Sequence, residues 1–219
     1  SSFRDWASHV PADTELLVIQ LPGREERISE PLMTRCDEIV RSVCTELLTY
    51  LDKPFALFGH SMGAVVAYEV VRRLRADGHR QPTHLFLSSR GAPQSQALDG
   101  ELRQLEGLDF LEKLHELYGA VPEAIRNNAE LRDVFTPILK ADVTVLETHC
   151  YNEEAPIGCP ITVMGGEDDP RITADMLSAW EAHTEGSFAQ KMYAGGHFYL
   201  FDQVAAVVAV ISNRMNTIE

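Results

Sequence analysis

Apolar residues recur along the chain in two rhythms: short branched or aromatic runs closed by turn residues, and longer stretches spaced by three and four. The run ELLVIQLPG at 15–23 is rich in branched residues and stopped by Pro-Gly, which predicts a buried strand. In PLMTRCDEIVRSVCTELLTYLDKP, at 31–54, Leu32, Cys36, Ile39, Val40, Val43, Leu47 and Leu48 fall on one face of an amphipathic helix. PFALFG at 54–59 predicts a second strand and 62–75 a second helix, with Val65, Tyr68, Val71 and Leu74 on one side. PTHLFLSS at 82–89, CPITVMGG at 159–166 and SFAQKMYAGG at 187–196 are further strands, and 202–215 is a final helix. Strands alternating with helices imply crossover connections and a mainly parallel sheet, an α/β architecture.

One region breaks the alternation. From about 98 to 151 the chain has helical patterns and no convincing strand: GLDFLEKLHELYG carries Leu108, Leu111, Leu114 and Leu117, and a longer pattern at 129–151 is interrupted by Pro137. An all-helical insert in an alternating chain suits a lid or a substrate-choosing cap, against the alternative of extra packing helices.

Length and composition fit one domain over 1–219 with a single substantial core. The 33 acidic residues outnumber the 19 basic ones, a net charge of −14 that argues against broad capture of nucleic acid or an anionic membrane. The basic cluster VRRLR at 71–75 reads as the solvated end of a helix. Cys36, Cys44, Cys150 and Cys159 lack the spacing of a zinc site or redox motif, and no run approaches the ~20 apolar residues of a membrane span. A reducing cytoplasm and a monomer are the expectation, with no metal.

The candidate chemistry begins at GHSMG, 59–63, a G-x-S-x-G pattern with a predicted strand before it and a helix after it. That context is a nucleophile elbow, in which glycines relieve the crowding of a sharp turn and the strained serine is presented at the carboxyl edge of the sheet. Ser61 is the candidate nucleophile, and the backbone N–H of Met62, at the helix N-terminus, points where an oxyanion would form. A serine hydroxyl needs a base, and the base needs an orienting acid. GGEDDPRIT at 165–173 follows a late strand and offers Asp169, with adjacent Asp168 as the alternative; AGGHFYL at 194–200 follows the last strand and offers His197. The order Ser, acid, His is that of the elbow-bearing hydrolases. His60, His84 and His149 are rival bases, read as structural because His60 points elsewhere on the turn, His84 lies in a strand and His149 in a lid helix.

LPGRE at 21–25, FGHSMGA, LKAD at 139–142, GGEDDP and GGHFYL together resemble the type II thioesterases that accompany modular polyketide synthases and nonribosomal peptide synthetases, over essentially the whole chain. The resemblance implies an α/β-hydrolase fold with a helical lid, a Ser61–Asp169–His197 triad, no cofactor, and hydrolysis of stalled acyl or aminoacyl groups from the phosphopantetheine arm of carrier proteins. A carboxylesterase on small esters and a non-catalytic binding module are the alternatives. In that family a Gly-rich loop after the first strand supplies a second oxyanion donor. The chain begins with SSFRDWA, where Ser2 reads as the N-cap of a helix bearing Phe3, Trp6 and Ala7, so a strand and loop upstream are expected in the natural protein. Carrier proteins are usually acidic, and the charge of this chain directs docking to a local patch, for which Arg90, Arg103 and Lys140 are candidates.

Overall fold

In the computed structural model, which describes residues 3–95, 102–119 and 121–215, the strand-forming runs become a parallel sheet. Its strands are β1 (Ala56–His60), β2 (His84–Ser88), β3 (Ile161–Gly166) and β4 (Phe188–Tyr193), in spatial order β1-β2-β3-β4. Gly59 pairs with Leu87 and Met164 with Ser88, so the carboxyl ends of β1, β2 and β3 finish side by side. Everything chemical in the protein follows from that shared edge.

Alternation along the strands sorts side chains onto two faces. Leu85, Leu87, Ile161 and Val163 cluster with Ala64, Tyr68 and Val71 of helix α2 (Met62–Ala76) and with Trp180. Phe86 and Met164 turn the other way, onto Val207 and Val208 of the last helix, Val204–Met215, and onto Trp6. Helix α1 (Cys36–Leu47) covers the outer side of α2 through Ile39, Val40 and Val43 against Val66, Val70 and Leu74. Each fully buried aliphatic side chain of this kind contributes about 1.5–3 kcal/mol.

Between β2 and β3 lie α3 (Gly107–Tyr118), α4 (Glu123–Asn127) and α5 (Ala129–Thr148). Phe110, Leu111, Leu114, Val121, Ile125 and Val143 form a cluster of their own. Leu111 is thus an interior residue of the helical insert and not a wall of the space above Ser61. Val145 and Leu146, near the end of α5, join the α1–α2 cluster and tie the insert to the body. A second tie is the bidentate pair from Arg24 to Asp142, at 2.8 and 3.0 Å, which joins the LPGRE and LKAD segments.

Several sequence expectations are corrected. Residues 15–20 are not a buried strand: they pair with no strand among the described residues, and Leu17, Val18 and Ile19 are 46%, 43% and 53% exposed. Branched residues extend the backbone locally, but a strand exists only with a ladder partner. The first long helix begins at Cys36, not near Leu32: residues 31–35 lie in no helix, and the N-cap residue Arg35 is extended. Pro137 does not interrupt α5, whose 20 residues run through it; the proline is solvent-facing, where water can satisfy the carbonyl it releases. Trp6 sits in a 3-10 helix, Arg4–Ser8, with Ala7 exposed, and the proposed Ser2 cap lies outside the described residues. The VRRLR run is only partly solvated: Arg72 is buried, bonded to Glu69 and the Asn152 carbonyl and lying over the rings of Tyr68 and Tyr151. Two of the candidate docking cations are engaged, since Arg103 pairs with Glu147 and Lys140 with Glu106, and the third, Arg90, is buried.

Candidate active site

Ser61 ends β1 and starts α2 with φ 53° and ψ −115°, a conformation that non-glycine residues adopt only where the surroundings enforce it. The enforcing contacts are the hydrogen bond from the Ser61 N–H to the Ser88 carbonyl, 2.8 Å, and the abutment of Gly59 on the first turn of α2. A Cβ on Gly59 would stand 2.1 Å from the Gly63 carbonyl oxygen, whereas one on Gly63 would meet nothing within 4 Å. Gly59 is therefore the steric requirement of the elbow. Gly59→Ala is expected to abolish soluble, folded protein or cost several kcal/mol, while Gly63→Ala keeps the elbow; thermal melts of the two proteins compare them, and equal stability would contradict the packing described.

The structure brings Ser61, His197 and Asp169 together. His197 Nε2 is 3.1 Å from Ser61 Oγ, and His197 Nδ1 is 2.7 Å from Asp169 Oδ2. Asp169 Oδ1 accepts from the N–H groups of Arg171 and Ile172, at 3.0 and 3.2 Å, so this buried carboxylate is held on both oxygens. Asp168, the alternative acid, is exposed and reaches the histidine loop only through its backbone, whose N–H donates to the Gly195 carbonyl at 2.9 Å. The acid and histidine loops touch at backbone distance: a Cβ on Gly166 would lie 2.2 Å from the Gly196 carbonyl and 2.3 Å from that of Gly195. The glycines of GGEDDP and GGHFYL are thus two sides of one close approach that sets the Asp169–His197 separation.

The remaining histidines take other partners. His84 Nε2 bonds Thr162 Oγ1 at 2.8 Å, and burial pushes its pKa down to about 4. His149 caps the end of α5 with Nε2 3.1 Å from Glu69 Oε1. His60 does not point away from the centre as expected: its ring lies 5.1 Å from that of His197, and its Nδ1 is 3.0 Å from Ser88 Oγ, which in turn contacts the Tyr199 hydroxyl at 2.8 Å. Burial, with the neighbouring His197, holds the His60 pKa well below the usual imidazole value. A neutral His60 avoids placing a second positive charge beside a protonated His197.

Two residues, Ser89 and Tyr118, escaped the sequence reading, and a third, Arg90, was read there only as a docking cation. Ser89, at φ 46°, is buried and donates from Oγ to the His197 carbonyl at 3.1 Å, bracing the loop that carries the base. Tyr118, the last residue of α3, places its ring 5.0 Å from the His197 ring, so the helical insert does reach the site. Arg90 is buried just past β2 and accepts from Trp180 Nε1 at its carbonyl. The SSR step at 88–90 was the available signal, but nothing local shows that a chain turning at Ser89 carries an arginine inward.

Among the described residues no group of three or more His, Cys, Asp or Glu side chains could hold a metal ion, and no helix is long and apolar enough to cross a membrane. The four cysteines are free, Cys150 exposed and the others buried.

Residues 1–215 match the thioesterase domain family. The chain is 34% identical over 218 residues to the gramicidin S biosynthesis protein GrsT of Aneurinibacillus migulanus, covering 100% of this chain and 85% of GrsT. It is 37% identical over 217 residues to a Brevibacillus parabrevis protein named linear gramicidin dehydrogenase LgrE, covering 98% of this chain and 82% of that one. The name of LgrE describes an oxidoreductase, while the family match and the Ser–His–Asp geometry describe a hydrolase. The solved structure of YbtT, a type II thioesterase from the yersiniabactin NRPS/PKS pathway, superposes with a TM-score of 0.85 at 27% identity, covering 97% of this chain and 86% of YbtT. With a parallel sheet, a strained serine between strand and helix, and relatives along nearly its whole length, this chain belongs to the thioesterase family, as an α/β-hydrolase enzyme close to the type II thioesterases of nonribosomal peptide and polyketide pathways.

Proposed function

We propose that the protein is an editing thioesterase that releases stalled or aberrant acyl and aminoacyl groups from the phosphopantetheine thiol of carrier-protein domains, with Ser61, His197 and Asp169 as its triad. The observation that carries this reading is the continuous hydrogen-bonded line from Asp169 through His197 to Ser61 at the N-terminus of α2.

In the first half-reaction His197 Nε2 takes the Ser61 proton as Oγ attacks the thioester carbon. The carbonyl oxygen becomes an oxyanion, and the Met62 N–H, first in α2 and without an intrahelical acceptor, is placed to donate to it. The C–S bond breaks and the carrier thiolate leaves with the proton from His197. In the second half-reaction His197 takes a proton from water, hydroxide attacks the acyl-serine, and the returned proton restores Ser61 as the acid departs. Asp169 keeps the Nδ1–H tautomer of His197 and stabilises its charged form. The scheme uses protein groups and water alone, so no cofactor enters it, and it is placed in one monomeric unit over 1–219, in the cytoplasm, with the helices of about 98–151 as lid.

The test compares one acyl group on a carrier protein, on a small thiol and on a simple alcohol. The reading expects kcat/KM to be highest for the acylated carrier and lowest for the ester. A protein that turns over the alcohol ester fastest is instead a carboxylesterase, and one that turns over none is a binding module.

A further inference from the structure

Strand β2 supplies none of the triad, yet its last residue is a fully buried serine, and a hydroxyl removed from water needs partners. Ser88 finds them on both segments that carry the reacting pair. Its carbonyl accepts from the Ser61 N–H at 2.8 Å, which fixes the backbone of the nucleophile. His60 and Ser88 are register partners across β1 and β2, so their side chains stand together, with Ser88 Oγ 3.0 Å from His60 Nδ1. The same Oγ meets the Tyr199 hydroxyl at 2.8 Å. Tyr199 lies two residues past His197, in the 3-10 helix Tyr199–Phe201, and its buried ring stacks on Tyr193 in the cluster that holds Phe86 and Met164. Alternation puts Ser88 on the Phe86 face of β2, so the strand itself aims the serine at Tyr199. With Tyr199 donating to Ser88 and Ser88 donating to His60 Nδ1, both hydroxyl protons have an acceptor and His60 carries its proton on Nε2. His60 Nε2 has no partner among the described residues, which leaves the Ser88 hydroxyl as the polar tie of that ring.

We propose that Ser88 is a positioning residue of the hydrolytic site: through the line His60–Ser88–Tyr199 it holds the elbow of β1 and the histidine loop after β4 at one separation, and so sets the 3.1 Å approach of His197 Nε2 to Ser61 Oγ. This rests on Ser61 and His197 as nucleophile and base, and not on which acyl group they process. The triad does not secure that separation by itself. Asp169 fixes Nδ1 of His197, but Ser61 and His197 meet through a single hydrogen bond that breaks and re-forms as the proton moves. A second line, which takes no part in proton transfer, keeps the two loops in place while that bond is open. The ring contacts of His60 with His197, 5.1 Å, and with Phe198, 5.4 Å, add packing to the same junction. Because Ser89 Oγ also holds the His197 carbonyl, losing the Ser88 hydroxyl should shift the loop without releasing it. A misplacement of about 1 Å costs about a hundredfold in rate, so a smaller shift is still read in kcat.

The experiment follows hydrolysis of p-nitrophenyl butyrate, with each rate divided by the sites that a fluorophosphonate titrates to completion. Ser88→Ala and Tyr199→Phe are each expected to lower kcat per titrated site by about tenfold or more, with KM within about twofold of the parent value. The Ser88→Ala/Tyr199→Phe pair should lose no more than Ser88→Ala alone, since the line is already cut. Tyr68→Phe removes a buried hydroxyl bonded to His183 at 3.1 Å on the other face of the sheet, and gives the scale of a merely structural loss: a lower melting temperature with the full rate at every titrated site. Ser88 and Tyr199 variants that match Tyr68→Phe, that change KM instead of kcat, or whose losses multiply in the pair would overturn the proposal. If Ser88→Ala does not fold, Tyr199→Phe decides alone, because it deletes one hydroxyl from a ring that keeps its stack on Tyr193. A parent protein whose Ser61 escapes the fluorophosphonate would end the nucleophile assignment and this inference with it. A parent that cleaves the ester and no acylated carrier would end the editing reading alone, with the Ser88 result still read from the ester.

Discussion

Ser61→Ala is expected to lower thioester hydrolysis by about five to six orders of magnitude while leaving the fold intact. The loss is large because, among the described residues, Ser61 is the only hydroxyl bonded to His197 Nε2, and Ser89, also close to the histidine loop, is turned so that its Oγ donates to the His197 carbonyl instead. His197→Ala should cost about as much, and the double variant little more than either alone, since the two groups act as one unit. The measurement is single-turnover hydrolysis of an acylated carrier, with circular dichroism to confirm folding. A folded Ser61→Ala protein with near-normal turnover would end the serine-hydrolase mechanism, and so would labelling by a phosphonate probe at any residue other than Ser61.

Asp169→Asn should lower kcat by about four orders of magnitude, whereas Asp168→Asn should leave it within a few-fold. The asymmetry follows from the 2.7 Å contact of Asp169 Oδ2 with His197 Nδ1 and from the outward position of Asp168. An asparagine at 169 can still accept from the Arg171 and Ile172 N–H groups through its carbonyl, so the loop is expected to hold its shape. If its amide faces Nδ1, however, the imidazole must carry its proton on Nε2, and a protonated Nε2 cannot accept from Ser61. The pH profile separates this from simple unfolding: activity of the Asn variant should recover partly at high pH, where hydroxide substitutes for the missing base, and a melting temperature within a few degrees of the parent protein confirms the fold. A larger loss at Asp168 would show that the solution loop differs from the one described.

Much of the molecule was legible before any coordinates. The alternation of branched runs and helical spacings gave β1 to β4, α1 and α2, because those segments carry period and turn chemistry together, and residues 98–151 stood out by lacking strands. The triad was legible for a different reason. Elbow, acid loop and histidine loop each follow a strand, and parallel strands end at one edge, so order along the chain converts into proximity. The choice between Asp168 and Asp169 rested only on their position in the loop before Pro170; the structure places Asp169 inward through two backbone N–H bonds to its Oδ1.

Where local pattern failed, the deciding partner was distant in sequence. Leu17, Val18 and Ile19 have the composition of a strand, but no strand among the described residues pairs with them. Leu111 has the spacing of an amphipathic helix, which does not say what its apolar face meets; Val121, Ile125 and Val143 claim it for the core of the insert. Arg72 and Arg90 look like surface cations, and both are buried, the first neutralised by Glu69 and Glu154. His60 looked structural and remote, but the elbow swings it against His197. The sequence by itself determined the alternating α/β order and the three residues of the candidate triad, because both are written in short-range signals repeated after successive strands. Which charges are buried, which aspartate faces inward and which apolar residues find cover were decided only by tertiary structure, because burial is a property of what packs against a residue and not of the residue.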